Sequence, residues 1–219
     1  MEYRVFDPSK LERRQNYRFM VGAIVPRPIA WVSTISREGV SNLAPFSFFS
    51  CVCHSPPMLS ISVGEKEGEF KHTVKNILET RGYVIHTVVN GFEQQMNQTS
   101  ANLSEDESEF DDARLGAVPA DLVPAPRIEG APIAMECVFR NLITNGVEWR
   151  TNVIIGELVR WHIREDLLIE DDKYIDPVKL EPVGRLGGTN YCRTHDIFQI
   201  QQPYPSPDKV ETWKRKVGG

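Results

Sequence analysis

The segment from Gly39 to Gly64 contains no Asp, Glu, Lys or Arg, although a quarter of the chain is charged. Its length would suit a membrane span. Its composition does not, because six serines, three prolines, Asn42 and His54 would leave polar groups without partners in lipid. We therefore expect a segment of a soluble core with a polar, uncharged molecule lying against it.

The chain of 219 residues predicts one large domain that spans residues 1–219. Its 25 basic residues against 30 acidic ones give no positive field for nucleic acid or anionic lipid, so neither partner is expected. The first twenty residues carry charges throughout and lack an apolar stretch. This start predicts a cytoplasmic protein.

Four cysteines, at 51, 53, 137 and 192, form neither CxxC pairs nor a disulfide framework. Cys51 and Cys53 with His54 could be read as a metal cluster, but thiolate metal sites usually have wider spacing. We expect buried structural thiols and no metal site.

Most of the chain has the pattern of β-strands. "PIAWVSTIS" (28–36) and "VSNLAPFSFFS" (40–50) flank a short turn that contains glycine, which predicts a hairpin. "YVIHTVV" (83–89) reads as a further strand. In "PPMLSISV" (56–63) the alternation predicts one face of Met58, Ser60 and Ser62 and an opposite face of Leu59, Ile61 and Val63.

Two segments have helical spacing instead. "HTVKNILETRG" (72–82) predicts a helix that Gly82 stops. "NGFEQQMNQTSANL" (90–103) predicts a second helix with Asn90 as its cap and Glu93 at the capping-box position.

The second half of the chain predicts another hairpin. A Pro-rich connector (118–132) precedes two strand-like runs, 133–143 and 148–163, which are joined through Asn-Gly. The Pro-rich, charged C-terminus is expected to be loose. Together these elements predict a mainly β fold, an antiparallel barrel with added helices.

Common catalytic motifs are absent from the sequence, which has no GxSxG, P-loop, HExxH or GxGxxG. His86 and His162 fall in strand patterns and are expected to be structural. His72 lies between Lys71 and Thr73 at a predicted helix start. There the backbone, a hydroxyl and an ammonium would suit a phosphate. The alternative is that Thr73 only caps the helix.

Four blocks of sequence resemble the flavin reductase-like family of FMN-binding split-barrel proteins. They are "PRPIAWVSTISREGVSNLAPFSFFSCVCHSPPMLSISVG", "KHTVKNI", "MNQTSAN" and "PVGRLGGTNY", and the resemblance covers residues 18–200. It implies a homodimer of split barrels with FMN, or FAD, in a groove near the dimer interface. It also implies NAD(P)H as a transient electron donor and a partner monooxygenase or other electron acceptor.

The resemblance also implies which residues bind the cofactor. It places Ser33 and Thr34 against the flavin ribityl chain or ring. The segment that runs along the flavin ring would contribute Asn42, Ala44, Ser47 and Phe48, with Ser50 as a further candidate. The phosphate would be held by Ser62, Lys71 and Thr73. The family usually has "KDT" where this chain has "KHT", so His72 replaces an acidic residue.

Arg185 and Tyr191 in the last block could form a wall of the site or serve a turn and the core. Lys66, like Lys71, follows the uncharged segment and could serve phosphate. No catalytic side chain is predicted, because in hydride transfer to a flavin the cofactor does the chemistry.

Three hypotheses follow for the function. The first is an NAD(P)H:FMN oxidoreductase, a flavin reductase. The second is a flavoredoxin-like carrier that holds FMN and passes electrons with little NAD(P)H turnover. The third is a split-barrel interaction module that has lost flavin, which the retained serines and Asn42 argue against.

Overall fold

A computed structural model describes residues 1–200 of the chain. The terminus that was predicted to be loose, from residue 201 on, lies outside the described residues. Among the helices of residues 1–200, none has the length and apolar character needed to cross a membrane. The uncharged segment forms three strands instead.

The strands are, in chain order, β1 (Ala30–Ile35), β2 (Ser41–Phe46), β3 (Phe49–His54), β4 (Pro57–Gly64), β5 (Gly82–Thr87), β6 (Ala117–Val118), β7 (Arg127–Ile128), β8 (Ile133–Asn145), β9 (Thr151–Ile163), β10 (Leu168–Ile169), β11 (Tyr174–Ile175), β12 (Val183–Arg185) and β13 (Tyr191–Arg193). The α-helices are α1 (Arg13–Ala23), α2 (His72–Thr80), α3 (Glu93–Gln98), α4 (Glu109–Asp112) and α5 (Pro177–Leu180). Short 3₁₀ turns cover Pro8–Lys10 and Glu165–Leu167.

Seven strands form one antiparallel sheet in the order β2-β1-β5-β8-β9-β4-β3. The two end strands, β2 and β3, are neighbours in the chain and are joined by residues 47–48 alone. The sheet must therefore curl until its ends approach each other, yet no ladder joins these two strands within the described residues. Its antiparallel strands agree with the strand patterns and hairpin signals, and its unjoined ends make it the split barrel that the family resemblance implied.

The barrel interior is filled by apolar side chains from every strand of the sheet and from α2. The predicted alternation in β4 is confirmed, because Leu59, Ile61 and Val63 are buried in this core. Met58, Ser60 and Ser62 are half-buried on the opposite face. Other members of the core are Val32, Val74, Ile77, Tyr83, Ile85, Phe139 and Ile154.

Helix α2 lies where it was predicted, but it ends for a different reason. Arg81, rather than Gly82, takes the left-handed conformation at the end of the helix, with φ of 64°. Gly82 begins β5, where an added Cβ would lie 2.8 Å from Pro124 Cδ and 2.9 Å from Val123 Cβ. This glycine is therefore required by close packing and not by the turn.

Helix α3 is much shorter than the sequence predicted and covers only Glu93–Gln98. Asn90 does not cap it, because the Asn90 side chain donates to Glu181 Oε2. After the helix, Thr99 is buried and its Oγ1 accepts a 2.9 Å hydrogen bond from Trp31 Nε1. This tertiary contact, which local spacing does not reveal, holds the end of the helix against the barrel.

The predicted hairpin of β8 and β9 is confirmed, with Asn145 opposite Thr151. The loop between them, residues 146–150, begins with Gly146 at φ of 92°. Such a positive φ is accessible to glycine at little cost.

The connector before this hairpin is fastened by a buried carboxylate. Glu136 on β8 accepts hydrogen bonds from the backbone N–H of Asp121, at 2.8 Å, and of Leu122, at 2.6 Å. His162 Nε2 lies 2.5 Å from the same carboxylate, which confirms a structural role for this histidine. The side chains of Asp121, Glu136 and His162 lie within 4.8 Å of one another. Since both Glu136 oxygens already hold backbone N–H groups, we read the cluster as an anchor for the connector.

The expectation of buried cysteines is wrong for two of the four. Cys137 is buried, and burial raises the pKa of its thiol. Cys51 and Cys53 are exposed on β3, the edge strand of the sheet. Their spacing correctly indicates a strand, but spacing does not show whether a neighbouring strand covers it.

Candidate functional site

Two adjoining cavities run along β2. The first, of about 310 Å³, is lined by Asn42 and Ala44 on that strand and by Lys66 and Lys71 beyond β4. The second, of about 530 Å³, is lined by Ser47, Arg27, Arg185 and Tyr191, among others. Both cavities include Pro45 and Ser100, so they form one elongated groove. Its size falls in the range of small-molecule sites.

A tight turn brings two lysines to one end of the groove. Lys66 and Glu69 exchange backbone hydrogen bonds of 3.0 and 2.9 Å across the turn, where Glu67 and Gly68 have positive φ. This geometry places Lys66 beside Lys71 on the wall of the first cavity.

Among the described residues, neither Lys66 nor Lys71 has an ion-pair partner within 4.0 Å, although Glu67 and Glu69 also line the cavity. Desolvation, and then the neighbouring Lys66 ammonium, lowers the pKa of Lys71. Two close ammonium groups that repel each other gain from an anion between them. This end of the groove therefore suits a phosphate.

The other two basic residues of the first cavity already face a carboxylate. Lys75 Nζ lies 2.7 Å from Glu105 Oε1, and His72 Nε2 lies 3.9 Å from the same oxygen. The histidine that replaces the family's Asp therefore faces a carboxylate.

A buried hydrogen-bond network forms the floor of the first cavity. Asn42 Oδ1 accepts from the hydroxyls of Thr34, at 3.2 Å, and Thr73, at 3.0 Å. Asn42 Nδ2 donates to Glu109 Oε2 at 2.7 Å, and Asn76 Nδ2 donates to the Thr34 hydroxyl at 3.0 Å. All five residues are at least nine-tenths buried. The hydrogen bonds among these five side chains hold the floor of the first cavity in place.

The network also corrects the view that Thr73 caps α2. The residue at the N-cap is Lys71, and its side chain makes no capping hydrogen bond. The Thr73 hydroxyl instead points into the barrel toward Asn42.

The predicted cofactor-binding residues fall into three groups. The first cavity is lined by Asn42, Ala44, Lys71 and Thr73, and the second includes Ser47. The hydroxyls of Ser33 and Thr34 are buried and line neither cavity. Thr34 donates to Asn42 Oδ1 behind the groove, whereas Ser33, on the opposite face of β1, donates to Pro126 O in the connector. The third group, Phe48, Ser50 and Ser62, lines neither cavity. Ser62 lies on β4, and Phe48 and Ser50 lie at the β3 edge.

Arg27 shapes the far end of the groove. Its buried guanidinium donates to the carbonyl oxygens of Val21 and Ile24, both at 2.7 Å, and of Leu186, at 3.0 Å. Its Nε also reaches the Ser47 hydroxyl at 3.4 Å. One side chain thus holds the end of α1 and the β12–β13 turn against β2.

Arg185 and Tyr191 form a wall of the second cavity, one of the two roles that the sequence left open. The Arg185 guanidinium lies 4.4 Å from the centre of the Tyr191 ring and also donates to the Tyr191 hydroxyl. A 2.6 Å bond to the Gly188 carbonyl oxygen completes its contacts. Stacking of this kind makes a rigid polar wall.

Sequence reasoning missed several residues of the groove. Asn97 and Ser100 line it, and their signal was present in the "MNQTSAN" block, from which no site residue was chosen. Arg27 lies within the "PRP" that opens the first block. Glu109 and the arginines of α1 carried no motif that could have identified them.

The fold and the groove together define a split-barrel protein with an elongated groove that has two lysines at one end. A model of the flavin reductase like domain matches residues 21–176, and the chain belongs to this family.

Three similar proteins illustrate the match. An uncharacterized protein of Halalkalibacterium halodurans is 37% identical over 93% of this chain and 98% of its own length. Nitrilotriacetate monooxygenase component B from Bacillus cereus is 34% identical, with a TM-score of 0.88 over 91% of this chain and all of its own. Pseudomonas fluorescens 2-nitrobenzoate 2-nitroreductase is 32% identical, with a TM-score of 0.83 over 93% of this chain and all of its own.

Proposed function

We propose that this chain binds FMN along β2 and reduces it with NAD(P)H, passing the electrons to a partner monooxygenase or to free flavin. The observation that carries the proposal is the continuous groove, with an uncharged strand along its length and, at one end, two lysines that have no ion-pair partner among residues 1–200. Membership of the flavin reductase-like family supports the same function.

The residues present fit this cofactor. Lys66 and Lys71 would hold the phosphate by charge-assisted hydrogen bonds. The uncharged β2, with Ala44 and Pro45 on the groove, suits the neutral ring and ribityl chain, beside which a buried charge would be costly. The lysine pair suits the single phosphate of FMN, whereas FAD carries a second phosphate and an adenine that would need further partners.

The side chains of this protein have the task of binding and orientation. The bound flavin supplies the hydride and electron chemistry, so a protein nucleophile is not required. The network behind β2 keeps the groove wall rigid, which preserves the contact geometry that hydride transfer needs. Arg27 and Ser47 offer polar groups at the far end, where donors can stabilise charge that develops on reduction.

We also infer a homodimer in the cytoplasm. The edge strand β3 exposes half of Val52, and Phe48 beside it is 38% exposed. Phe48, Ser50 and Ser62 lie on or beside this edge and line neither cavity of their own chain, although the Arg27 guanidinium is 5.9 Å from the Phe48 ring. A second copy against β3 would give these residues a cofactor contact that the single chain does not. A partner monooxygenase is supported by the similar protein that is itself a monooxygenase component.

The function is tested by titrating the purified protein with FMN and FAD and then mixing it anaerobically with NADH or NADPH. We expect FMN binding and bleaching of the flavin absorbance on a catalytic timescale. Tight FMN binding without bleaching by either nicotinamide, and without stimulation by added FMN, would instead identify a flavoredoxin-like carrier. Absence of binding to both flavins would leave only an interaction module.

A further inference from the structure

The second cavity is strongly basic for a protein with a net charge of −5. Its lining includes four arginines, and among the described lining residues there is no Asp or Glu. The arginines are Arg14, Arg18, Arg27 and Arg185.

Two of these arginines have structural partners and two do not. Arg27 is bonded to backbone carbonyl groups and Arg185 to Gly188 and Tyr191. Arg14 and Arg18 are exposed and have no side-chain hydrogen bond or ion pair within residues 1–200. Their guanidinium groups are therefore available to a ligand.

The position of these two arginines on α1 works against the helix. Residues four apart share one helix face, where like charges repel each other and destabilise the helix. Arg14 also lies in the first turn, where a positive charge opposes the helix dipole. Their neighbour Arg13 differs, because its guanidinium lies 3.7 Å from the centre of the Trp149 ring, so it does have a partner.

We propose that Arg14 and Arg18 bind the anionic group, a phosphate or a carboxylate, of the second substrate that meets the flavin. Guanidinium groups bind both kinds of oxyanion in a bidentate manner. Tyr17, which is 58% exposed and lines the same cavity, offers an aromatic face beside them. The ligand class is therefore a ring-bearing anion, either a phosphorylated nicotinamide dinucleotide or an aromatic carboxylate.

This inference rests on the proposed function, because it gives the lysine end of the groove to the FMN phosphate. It assigns the arginine end to the second substrate.

The test uses the full chain, FMN, and a double variant, Arg14→Gln with Arg18→Gln. Calorimetry measures the Kd of NADP⁺, NAD⁺ and benzoate, and flavin fluorescence measures the Kd of FMN. We expect FMN affinity to change less than twofold. Binding of one anionic probe is expected to weaken about tenfold or more, as loss of a charge-assisted bond implies. Arg13→Gln, on the same helix, is the matched control and leaves all these constants unchanged.

The two sources of the anion are separated by the probes. Weaker NADP⁺ binding with unchanged NAD⁺ binding identifies the dinucleotide phosphate, whereas weaker benzoate binding alone identifies a carboxylate. Equal values for the double variant and the Arg13→Gln control overturn the inference. A loss of FMN affinity also overturns it, because the arginines would then hold the cofactor itself. Failure of the wild-type protein to bind FMN defeats the proposed function instead, and the NADP⁺ and benzoate titrations still test the arginines.

Discussion

The side-chain amide of Asn42 donates a 2.7 Å hydrogen bond to Oε2 of Glu109, and both side chains are buried. The same oxygen accepts the backbone N–H of Leu43 at 2.9 Å. Glu109 begins α4, so one carboxyl group joins this helix to β2. A buried carboxyl group needs such donors, and these bonds hold the floor of the first cavity in place.

We expect Asn42→Ala to lower the free energy of unfolding by about 2–3 kcal/mol. The substitution leaves the hydroxyl groups of Thr34 and Thr73 and the carboxyl group of Glu109 with fewer partners in the interior. Urea denaturation measures the loss, with Ser50→Ala on the exposed edge strand as a control that changes stability by less than about 0.5 kcal/mol. Wild-type stability combined with weaker FMN binding would instead give Asn42 the direct cofactor role that the family resemblance implied.

The case of Asn42 shows what the sequence could predict. Alternation and turn signals depend on neighbouring residues, so β1, β2, β4 and β5, the β8–β9 hairpin and an antiparallel barrel were predictable. The separate strand β3 was not, because residues 40–50 read as one strand, whereas the chain leaves β2 after Phe46 and begins β3 at Phe49. The partner of Asn42 was not, because Glu109 lies 67 residues further along the chain. A strand pattern assigns a side chain to a face, but it does not reveal whether another element covers that face.

The same limit explains the rest of the site. Lys71 and Thr73 are adjacent to His72 in one short motif and both line the first cavity. The Thr73 hydroxyl is nevertheless bonded to Asn42, whereas Lys71 has no ion-pair partner among residues 1–200. The arginines of α1 line the second cavity, and Arg27, from the segment before β1, bonds the end of that helix to the same cavity. Such contacts depend on tertiary packing, which local spacing does not encode.

We expect Lys71→Ala to weaken FMN binding by about 1.5–3 kcal/mol, the value of a hydrogen bond to a charged group. Fluorescence titration of the flavin measures this change. Lys179→Ala on α5, which lines neither cavity, serves as the control. If FMN affinity is the same in both variants, Lys71 is a surface residue without a role in the cofactor site.

The lysine pair also gives the binding a pH dependence. Desolvation and the Lys66 ammonium lower the pKa of Lys71, so its charge is lost at a lower pH than that of an ordinary lysine. FMN affinity is therefore expected to fall in the alkaline range, beginning at a lower pH than an ordinary lysine would cause. In Lys66→Ala the repulsion is absent, so the decline that remains should move to higher pH. A decline at the same pH in both proteins would contradict this coupling.

His86 should make the fold less stable in mild acid. Burial lowers its pKa to about 4, from an ordinary value of 6.5. The ring is held by Trp31 O at 3.0 Å from Nδ1 and by the Ile128 N–H at 3.0 Å from Nε2. Between pH 6.5 and 4 the unfolded chain binds the extra proton, so stability falls as the pH is lowered through this range.

The expected loss from His86 between pH 7.5 and pH 5 is about 2 kcal/mol, at 1.36 kcal/mol for each pH unit below 6.5. Urea denaturation of the wild type and of His86→Gln at both pH values isolates this contribution. The variant starts less stable, since its side chain cannot match both bonds, but it should lose about 2 kcal/mol less on acidification. Equal losses in the two proteins would show that other groups cause the acid sensitivity.

The edge strand β3 provides the test of the proposed homodimer. Val52 is 50% exposed there, next to exposed Cys51 and Cys53, and an uncharged edge of this kind invites pairing with another chain. We expect sedimentation equilibrium to give a dimer for the wild type. The dimer dissociation constant of Val52→Asp should be at least tenfold higher, because a buried, unpaired carboxylate opposes association.

Val178→Asp on α5 introduces the same charge at a site that is 66% exposed and far along the chain from β3, and it should leave the dimer intact.

FMN titration of the same proteins tests whether the dimer is needed for the cofactor site. If Phe48, Ser50 and Ser62 contact the cofactor of a second copy, Val52→Asp must lose FMN affinity along with the dimer. A monomeric wild type with full FMN affinity would instead mean that the groove of a single chain is sufficient, and that these three residues serve only the surface of the barrel.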